Sequence, residues 1–294
     1  MPVQAYPTVL SPLIGIVILN WNNAPDTIEC LDSVLKLSYA PFTVLVVDNG
    51  STDDSVIRIS ASHPEIGILK TGKNLGYSGG NNLGIRHLLD KDAKFILLLN
   101  NDTKVEPDML TELLKVAESG LNVGMAGPKV LLEGRKDTLF AAGSLVHWSR
   151  GEIEHRGMFS RAPGSPAPER EEPEGVDFLA GCGLLVSARF IEKAGGLDER
   201  YFLNYEDVEW GIRARRFGFE VFYAPRAILT HKVSASLGES SAANTYYMTR
   251  NASISFGGMV LDLPVGLRQV IQIMLDPPIS NRMSIRPKYR TSLY

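Results

Sequence analysis

The chain has 294 residues, with 30 Lys and Arg against 33 Asp and Glu, a formal net charge of −3, and 44% hydrophobic residues. This balance excludes a strongly basic nucleic-acid binder, and two cysteines, Cys30 and Cys182, support neither a disulfide framework nor a Cys-based zinc site. No apolar run reaches the roughly 18 residues of a membrane span, and Met1–Pro12 lacks the regions of a secretory signal, so a cytoplasmic enzyme is expected.

Gly15–Leu19 (GIVIL) is a continuous apolar run, as in a strand buried on both faces. Asn20-Trp21-Asn22-Asn23 follows, and Pro25 opens a helix with Ile28, Leu31, Val34 and Leu35 on one side. Thr43–Val47 predicts a second strand, ending on Asp48 and a turn rich in Asn, Gly and Ser. A helix over Asp54–Ser62, a short strand at Gly67–Leu69, a helix over Ser78–Leu89 and a buried strand at Phe95–Leu99 come next. Such alternation predicts an α/β fold, a mainly parallel Rossmann-like sheet flanked by helices. Ligands then bind at the carboxyl ends of the strands.

Pro107–Ala117 predicts another helix, after which the pattern weakens into short strand-like pieces over 121–160. Arg161–Gly175 holds four prolines and four glutamates with almost nothing apolar, and predicts a surface loop. Ordered structure is expected again over Val176–Val186, with helices at Ala188–Ala194 and Glu206–Phe217 and a last short strand at Glu220–Tyr223. The division expected is an N-terminal extension (1–12), a catalytic domain (13–250, with halves 13–120 and 121–250) and a C-terminal helical tail (251–294).

Three segments carry candidate chemistry. In Leu97–Pro107 an apolar strand runs into Asn100-Asn101-Asp102, so a carboxylate stands at the ligand edge of the sheet. Oxygen ligands there suit Mg²⁺ or Mn²⁺, which bind one or two carboxylates plus substrate phosphates; a plain helix cap gives the same pattern. Asp48-Asn49-Gly50-Ser51 is the matching turn on the second strand. A dinucleotide fold would need G-x-G-x-x-G after the first strand; the glycines of Asn74–Asn82 come too late, which also disfavours nucleotidylyltransferases. Glu206-Asp207 opens a helix whose dipole stabilises anions, either as a general base with its neighbour or as a solvated, charge-paired helix start. Of five histidines, His231 alone ends an ordered element, and His63, His87, His147 and His155 read as structural or exposed.

IVILNWNN (16–23), VLVVDNGSTDDS (44–55), NLGYSGGNNLGI (74–85), LLLNNDTKVEPD (97–108), GGLDERYFLNYEDVEWGIRARRFG (195–218) and the His231 region, in this order, resemble the family-2 inverting glycosyltransferases. These have the A-type nucleotide-sugar fold, and the similarity is strongest to the bacterial rhamnosyltransferase-like branch. The resemblance implies that Asn20, Asn22, Asp48, Asn74, Gly79, Asn82 and Asn101 lie at the nucleotide-sugar pocket. It implies Asp102 and His231 as contacts of a divalent metal (Mg²⁺ or Mn²⁺), and Asp207, with Glu206 beside it, as catalytic base. One departure is Asn100, where the family motif has its first carboxylate; the metal then rests on Asp102, His231 and the phosphates. The implied reaction moves a sugar from a nucleotide-sugar donor, dTDP-rhamnose being the suggested one, to a saccharide or lipid-linked acceptor in cell-surface polysaccharide synthesis. The alternative is a non-catalytic nucleotide-sugar-binding homologue. Trp148, Tyr201 and Phe202 are candidate acceptor-side aromatics. The tail, with Val270, Ile271, Ile273, Met274 and Leu275, is expected to lie on a membrane surface, or to pack on the domain or on a second subunit of a homo-oligomer.

Overall fold

The computed structural model describes residues 11–147, 152–157, 172–232 and 242–256. The first half alternates as its sequence predicts. Strand β1 (Ile14–Asn20) leads to α1 (Ala24–Val34), β2 (Phe42–Asp48), α2 (Ser55–Ser62), β3 (Gly67–Lys70), α3 (Gly76–Leu89) and β4 (Phe95–Asn100). Then come β5 (Thr103–Val105), α4 (Met109–Ala117), β6 (Val123–Leu132), β7 (Arg135–Ala141), β8 (Ser144–His147) and β9 (Glu152–His155). The second half holds β10 (Glu174–Gly175), β11 (Gly183–Ser187), α5 (Ala188–Ala194), α6 (Glu206–Arg216), β12 (Glu220–His231) and α7 (Ala242–Phe256).

The main sheet runs β10-β12-β6-β11-β4-β1-β2-β3, with β5 beside β12 and β7 beside β6; β8 and β9 form a separate pair. β1, β2, β3 and β4 are mutually parallel, as are β6 and β12, while β11 runs antiparallel between β4 and β6. The apolar runs have a direct cause. Ile14, Ile16 and Ile18 of β1 and Leu97 and Leu99 of β4 face one core, whereas Val17, Ile96 and Leu98 face the other. Both faces are covered, so alternate positions are apolar on both sides. Trp210 of α6 is fully buried on the second face, against Phe190 at 5.6 Å, and its Nε1–H donates to Gly195 O at 3.1 Å.

Three expectations need correction. The region 121–160 holds a ten-residue strand, β6, in the heart of the sheet. Gly124, Gly127 and Pro128 hide it by breaking the apolar run, yet the glycines belong there. A Cβ at Gly127 would approach Leu179 Cδ2 to 2.6 Å, and one at Gly124 would approach Phe219 Cβ to 2.9 Å. The last strand continues from Glu220 through Pro225 to His231, because the register shifts between Ala224 and Ile228 and leaves the proline at an irregularity. The acidic stretch expected to loop out to Gly175 ends instead in β10, where Glu174 pairs with Arg156 at 2.6 Å. Residues 161–171 of that stretch, Trp148 and the apolar tail residues lie outside the described residues.

Candidate active site

Parallel pairing places three strand ends side by side. Asn20 stands opposite Asp48, and Leu19 opposite Asn100. Asn20 is fully buried and all its side-chain groups are engaged: Nδ2 donates to Asp48 Oδ1 (3.0 Å) and Ser51 Oγ (3.1 Å), and Oδ1 accepts from Thr27 Oγ1 (2.8 Å). The Ser51 amide completes the turn by donating to Asp48 Oδ2 at 3.2 Å. Asn22 is exposed, in the left-handed region, with Oδ1 accepting from Thr52 N at 2.8 Å. Asn74, also exposed, accepts from Gly76 N (2.8 Å) and from Asn49 Nδ2 (3.1 Å). Asn49 is itself buried and ties β2 to the start of α3.

Beyond β4 the chain turns into β5, which pairs with the end of β12 so that His231 stands opposite Thr103. Asp102 and His231, 129 positions apart, meet: His231 Nε2 lies 3.0 Å from Asp102 Oδ1. The Lys232 amide donates to Asp102 O at 2.9 Å. Burial pulls the His231 imidazole down, but the Cys182 sulfur and the Asp102 carboxylate push it up to about 10. Asn101 turns away and donates to Thr27 Oγ1 at 3.0 Å. Two buried polar atoms here lack partners, Asn100 Oδ1 and His231 Nδ1. Among the described residues no three His, Cys, Asp or Glu side chains cluster as a metal cage. A divalent cation here would take an Asp102 oxygen, the His231 nitrogen only once that imidazole has lost its proton, and most of its ligands from substrate phosphates and water, as Mg²⁺ usually does.

Glu206 and Asp207 open α6, with three acidic residues in its first turn and three arginines in its last, both favourable to the helix dipole. Asp207 Oδ2 accepts from Gly181 N at 3.1 Å and Oδ1 from Val208 N at 2.8 Å. Burial raises the Asp207 carboxyl above its usual range, against the pull of these two amides. Burial, then the neighbouring Asp207 charge, pushes Glu206 up to about 8, and Glu206 Oε2 is buried without a partner. Tyr77, from α3, donates its hydroxyl to Gly181 O at 2.6 Å. Burial holds that phenol well above its ordinary value, and the charges of Glu206, Cys182, Asp207 and Asp102 add to the effect. Tyr77 and Asp207 thus both bond Gly181, and the next carbonyl, Cys182 O, accepts from Asn100 N at 3.1 Å, which sets the helix carboxylates and the end of β4 at one region of the sheet edge. His155 also feels the Asp207 charge, although burial holds its imidazole below the usual value.

The raised Glu206 carboxyl carries a stability prediction. Its folded value exceeds its unfolded one, so the native state binds the extra proton and stability falls as pH rises from about 5 towards 8. Glu206→Gln mimics the protonated form. Urea melts should show the variant gaining on the wild type with pH, by on the order of 4 kcal/mol at pH 8. Parallel pH profiles for the two proteins would refute a neutral buried Glu206.

The glycine-rich segment of α3 packs the fold together. A Cβ at Gly80 would meet Leu19 Cδ1 at 2.5 Å, and one at Gly84 would meet Val17 Cγ1 at 2.6 Å, so these glycines let α3 lie directly on β1. Gly76 (φ 73°) abuts Phe202 O. Gly79 faces Leu75, and the Asn82 amide is committed to the Leu197 peptide, donating at 2.8 Å and accepting at 2.9 Å. Ser78 Oγ donates to Tyr201 O at 2.6 Å. The segment is thus a platform for residues 197–202, which lead into Glu206-Asp207. Tyr77 and Gly181 are not singled out by the sequence, whereas Asn49 and Ser51 lie in the turn after β2 that is; a tyrosine inside the Asn/Gly motif is the signal that points to Tyr77. A surface cavity of about 580 Å³ at the opposite edge, around Lys94, Phe95, Leu121 and Arg189, holds none of these groups.

Known proteins extend the picture. The model of the family described as "Glycosyltransferase like family 2" matches residues 12–251. An N-acetylglucosaminyl-diphospho-decaprenol L-rhamnosyltransferase of Mycobacterium tuberculosis is 30% identical over 251 residues, covering 80% of this chain and 81% of its own. A dTDP-rhamnosyl transferase, RfbF, of Shigella flexneri is 24% identical over 88% of this chain and 84% of its own. Among solved structures, the mannosyltransferase PcManGT of Pyrobaculum calidifontis, in complex with GDP-Man and Mn²⁺, superposes with a TM-score of 0.60. It is 16% identical and covers 92% of this chain and 72% of its own. This likeness shows a shared A-type fold.

Proposed function

The chain belongs to the glycosyltransferase like family 2 and is a glycosyltransferase, and from that premise we propose that it is a metal-dependent inverting enzyme whose donor is dTDP-rhamnose. The acceptor is a saccharide or lipid-linked glycan, and the product belongs to cell-surface polysaccharide. The observation that carries this reading is the meeting of two pairs at one sheet edge: Asp207 accepts from Gly181 N, and the adjoining Cys182 O accepts from Asn100 N, two residues before Asp102 and its partner His231. Two rhamnosyltransferases among the relatives support the donor.

The roles follow from the chemistry each group can perform. A sugar hydroxyl has a pKa far above 7, so a positioned carboxylate must accept its proton as the oxygen attacks the anomeric carbon. Asp207 is suited to this, because two backbone N–H groups fix its oxygens and burial raises its basicity. Glu206, held neutral beside it, leaves only one negative charge in the pair at neutral pH. A single displacement inverts the anomeric centre and needs no protein nucleophile. Asp102, joined by His231 once its imidazole gives up its proton, would hold a divalent cation, which when bound stabilises the charge growing on the nucleoside diphosphate. Asn20 and Asp48, with Asn22 and Asn74 at the rim, form a rigid polar wall for the nucleoside. The half up to about residue 120 then serves the donor and the rest of the catalytic domain the acceptor. No helix among the described residues is long and apolar enough to cross a membrane.

A thermal-shift series tests the donor reading. Ligands bound only by the native state raise apparent stability, by about 2.7 kcal/mol at a hundredfold excess over Kd. With Mn²⁺ present, dTDP should raise the melting temperature more than UDP, GDP or CMP, and its effect should shrink without the metal. Equal shifts for all four nucleotides would sink the dTDP assignment, and no shift with any of them would sink nucleotide-sugar binding.

A further inference from the structure

Immediately before Glu206 the backbone takes a conformation that side chains resist. Asn204 and Tyr205 are consecutive left-handed residues, with φ of 64° and 69°. Asparagine enters this region readily, but a bulky residue such as tyrosine crowds its Cβ against the following carbonyl. The side chain of Tyr205 does not cap α6. This turn nevertheless sets the direction in which α6 begins, and therefore where the Asp207 carboxylate points.

The groups that hold the turn come from α7. Asn251, fully buried, donates from Nδ2 to Leu203 O at 2.7 Å and to Asn204 O at 2.8 Å. Its Oδ1 accepts from Arg250 Nη1 at 2.8 Å, and the same guanidinium nitrogen donates to Arg200 O at 2.9 Å. Asn244 Oδ1 accepts from Asn204 Nδ2 at 2.8 Å, and Tyr247 stacks on Phe202 with centroids 5.3 Å apart. A single amide nitrogen thus grips two successive carbonyls at the entry to the strained turn. An isosteric carboxylate would set oxygen against oxygen there.

We propose that Asn251 is a positioning residue: by holding Leu203 O and Asn204 O it keeps the Asn204–Tyr205 turn left-handed and aims Asp207 at the acceptor hydroxyl. The inference rests on Asp207 being the base, and it gives the C-terminal helix a task in the reaction. Strained backbone held by its surroundings is a recurrent feature of functional sites, and a misplacement of about 1 Å can cost on the order of a hundredfold in rate.

The test compares Asn251→Ala, Asn251→Asp, and Asn251→Ala combined with Asn204→Gly and Tyr205→Gly. Three quantities are read on the full chain: release of dTDP from dTDP-rhamnose, dTDP affinity by calorimetry, and hydrogen exchange of the 203–209 amides. Both single variants should lose about 30- to 100-fold in kcat, with KM and dTDP affinity within about twofold, and exchange should quicken in 203–209 but not in β1 or α3. The glycines should restore kcat at least about fivefold, since glycine holds positive φ without steric cost. Unchanged kcat and exchange in Asn251→Ala would overturn the proposal. So would a loss that spreads through the whole chain and that glycine does not rescue. If the wild type releases no nucleotide from any sugar donor, the proposed function fails, and the exchange experiment still decides whether Asn251 holds the turn.

Discussion

Asp207→Asn should lower sugar transfer by about 10²- to 10⁴-fold, the usual contribution of a positioned general base, while dTDP binding stays within about twofold of the wild type. The substitution keeps the size of the side chain but removes the lone pair that takes the proton. Either Gly181 N or Val208 N then faces an amide nitrogen in place of the oxygen it now bonds at 3.1 or 2.8 Å. A stability loss of about 1 kcal/mol accompanies that mismatch, far too small to explain the missing turnover. Burial raises the Asp207 carboxyl, so the acid limb of the wild-type rate profile should lie above the ordinary carboxylate range. The rate should fall as pH drops through that limb, because protonated Asp207 cannot accept the acceptor's proton. Full turnover in Asp207→Asn would remove the base assignment.

The second large effect belongs to Asp102. Asp102→Asn still offers an oxygen to His231 Nε2, 3.0 Å away in the wild type, but it carries no charge. Losing one preorganised electrostatic contact to the developing charge typically costs about 10²- to 10³-fold, so kcat/KM should fall by that order. The diagnostic readout is the metal. Wild-type transfer should vanish with a chelator and return with Mn²⁺, whereas the variant's residual rate should be nearly indifferent to both. A variant as metal-responsive as the wild type would show that the cation is held elsewhere. Asn100, whose Oδ1 is buried and unpartnered, is the neighbour to replace next, by Asp, which restores a second carboxylate.

Much of the donor-side architecture is legible in the sequence, and for a simple reason. β1, β2 and β4 lie in a sheet covered on both faces, so burial writes them as apolar runs that need no partner to be recognised. Their ends are marked by Asn20, Asp48 and Asn100, polar residues that stop each run where the sheet meets its ligand edge. The second half is less legible. β6 contains Gly124, Gly127 and Pro128 because side chains from elsewhere, Phe219 and Leu179, lie against it. β12 continues past Pro225 because a register shift absorbs the missing donor. In both cases the deciding contact is remote, and local periodicity does not report it.

The same division holds for the site. Residue types, their order along the chain and the turns that carry them were determined by the sequence: carboxylates after apolar strands, an acidic pair at a helix start, glycines in the first turns of α3. Their meeting was decided by the tertiary structure. Asp102 touches His231 because the end of β12 pairs with β5, and Asp207 bonds Gly181 N while Tyr77 on α3 bonds the carbonyl of the same residue. Residues close in sequence are constrained by backbone sterics and burial alone, which a short window encodes. Residues a hundred positions apart meet only when the whole sheet has closed, and that closure is a cooperative property of all its strands.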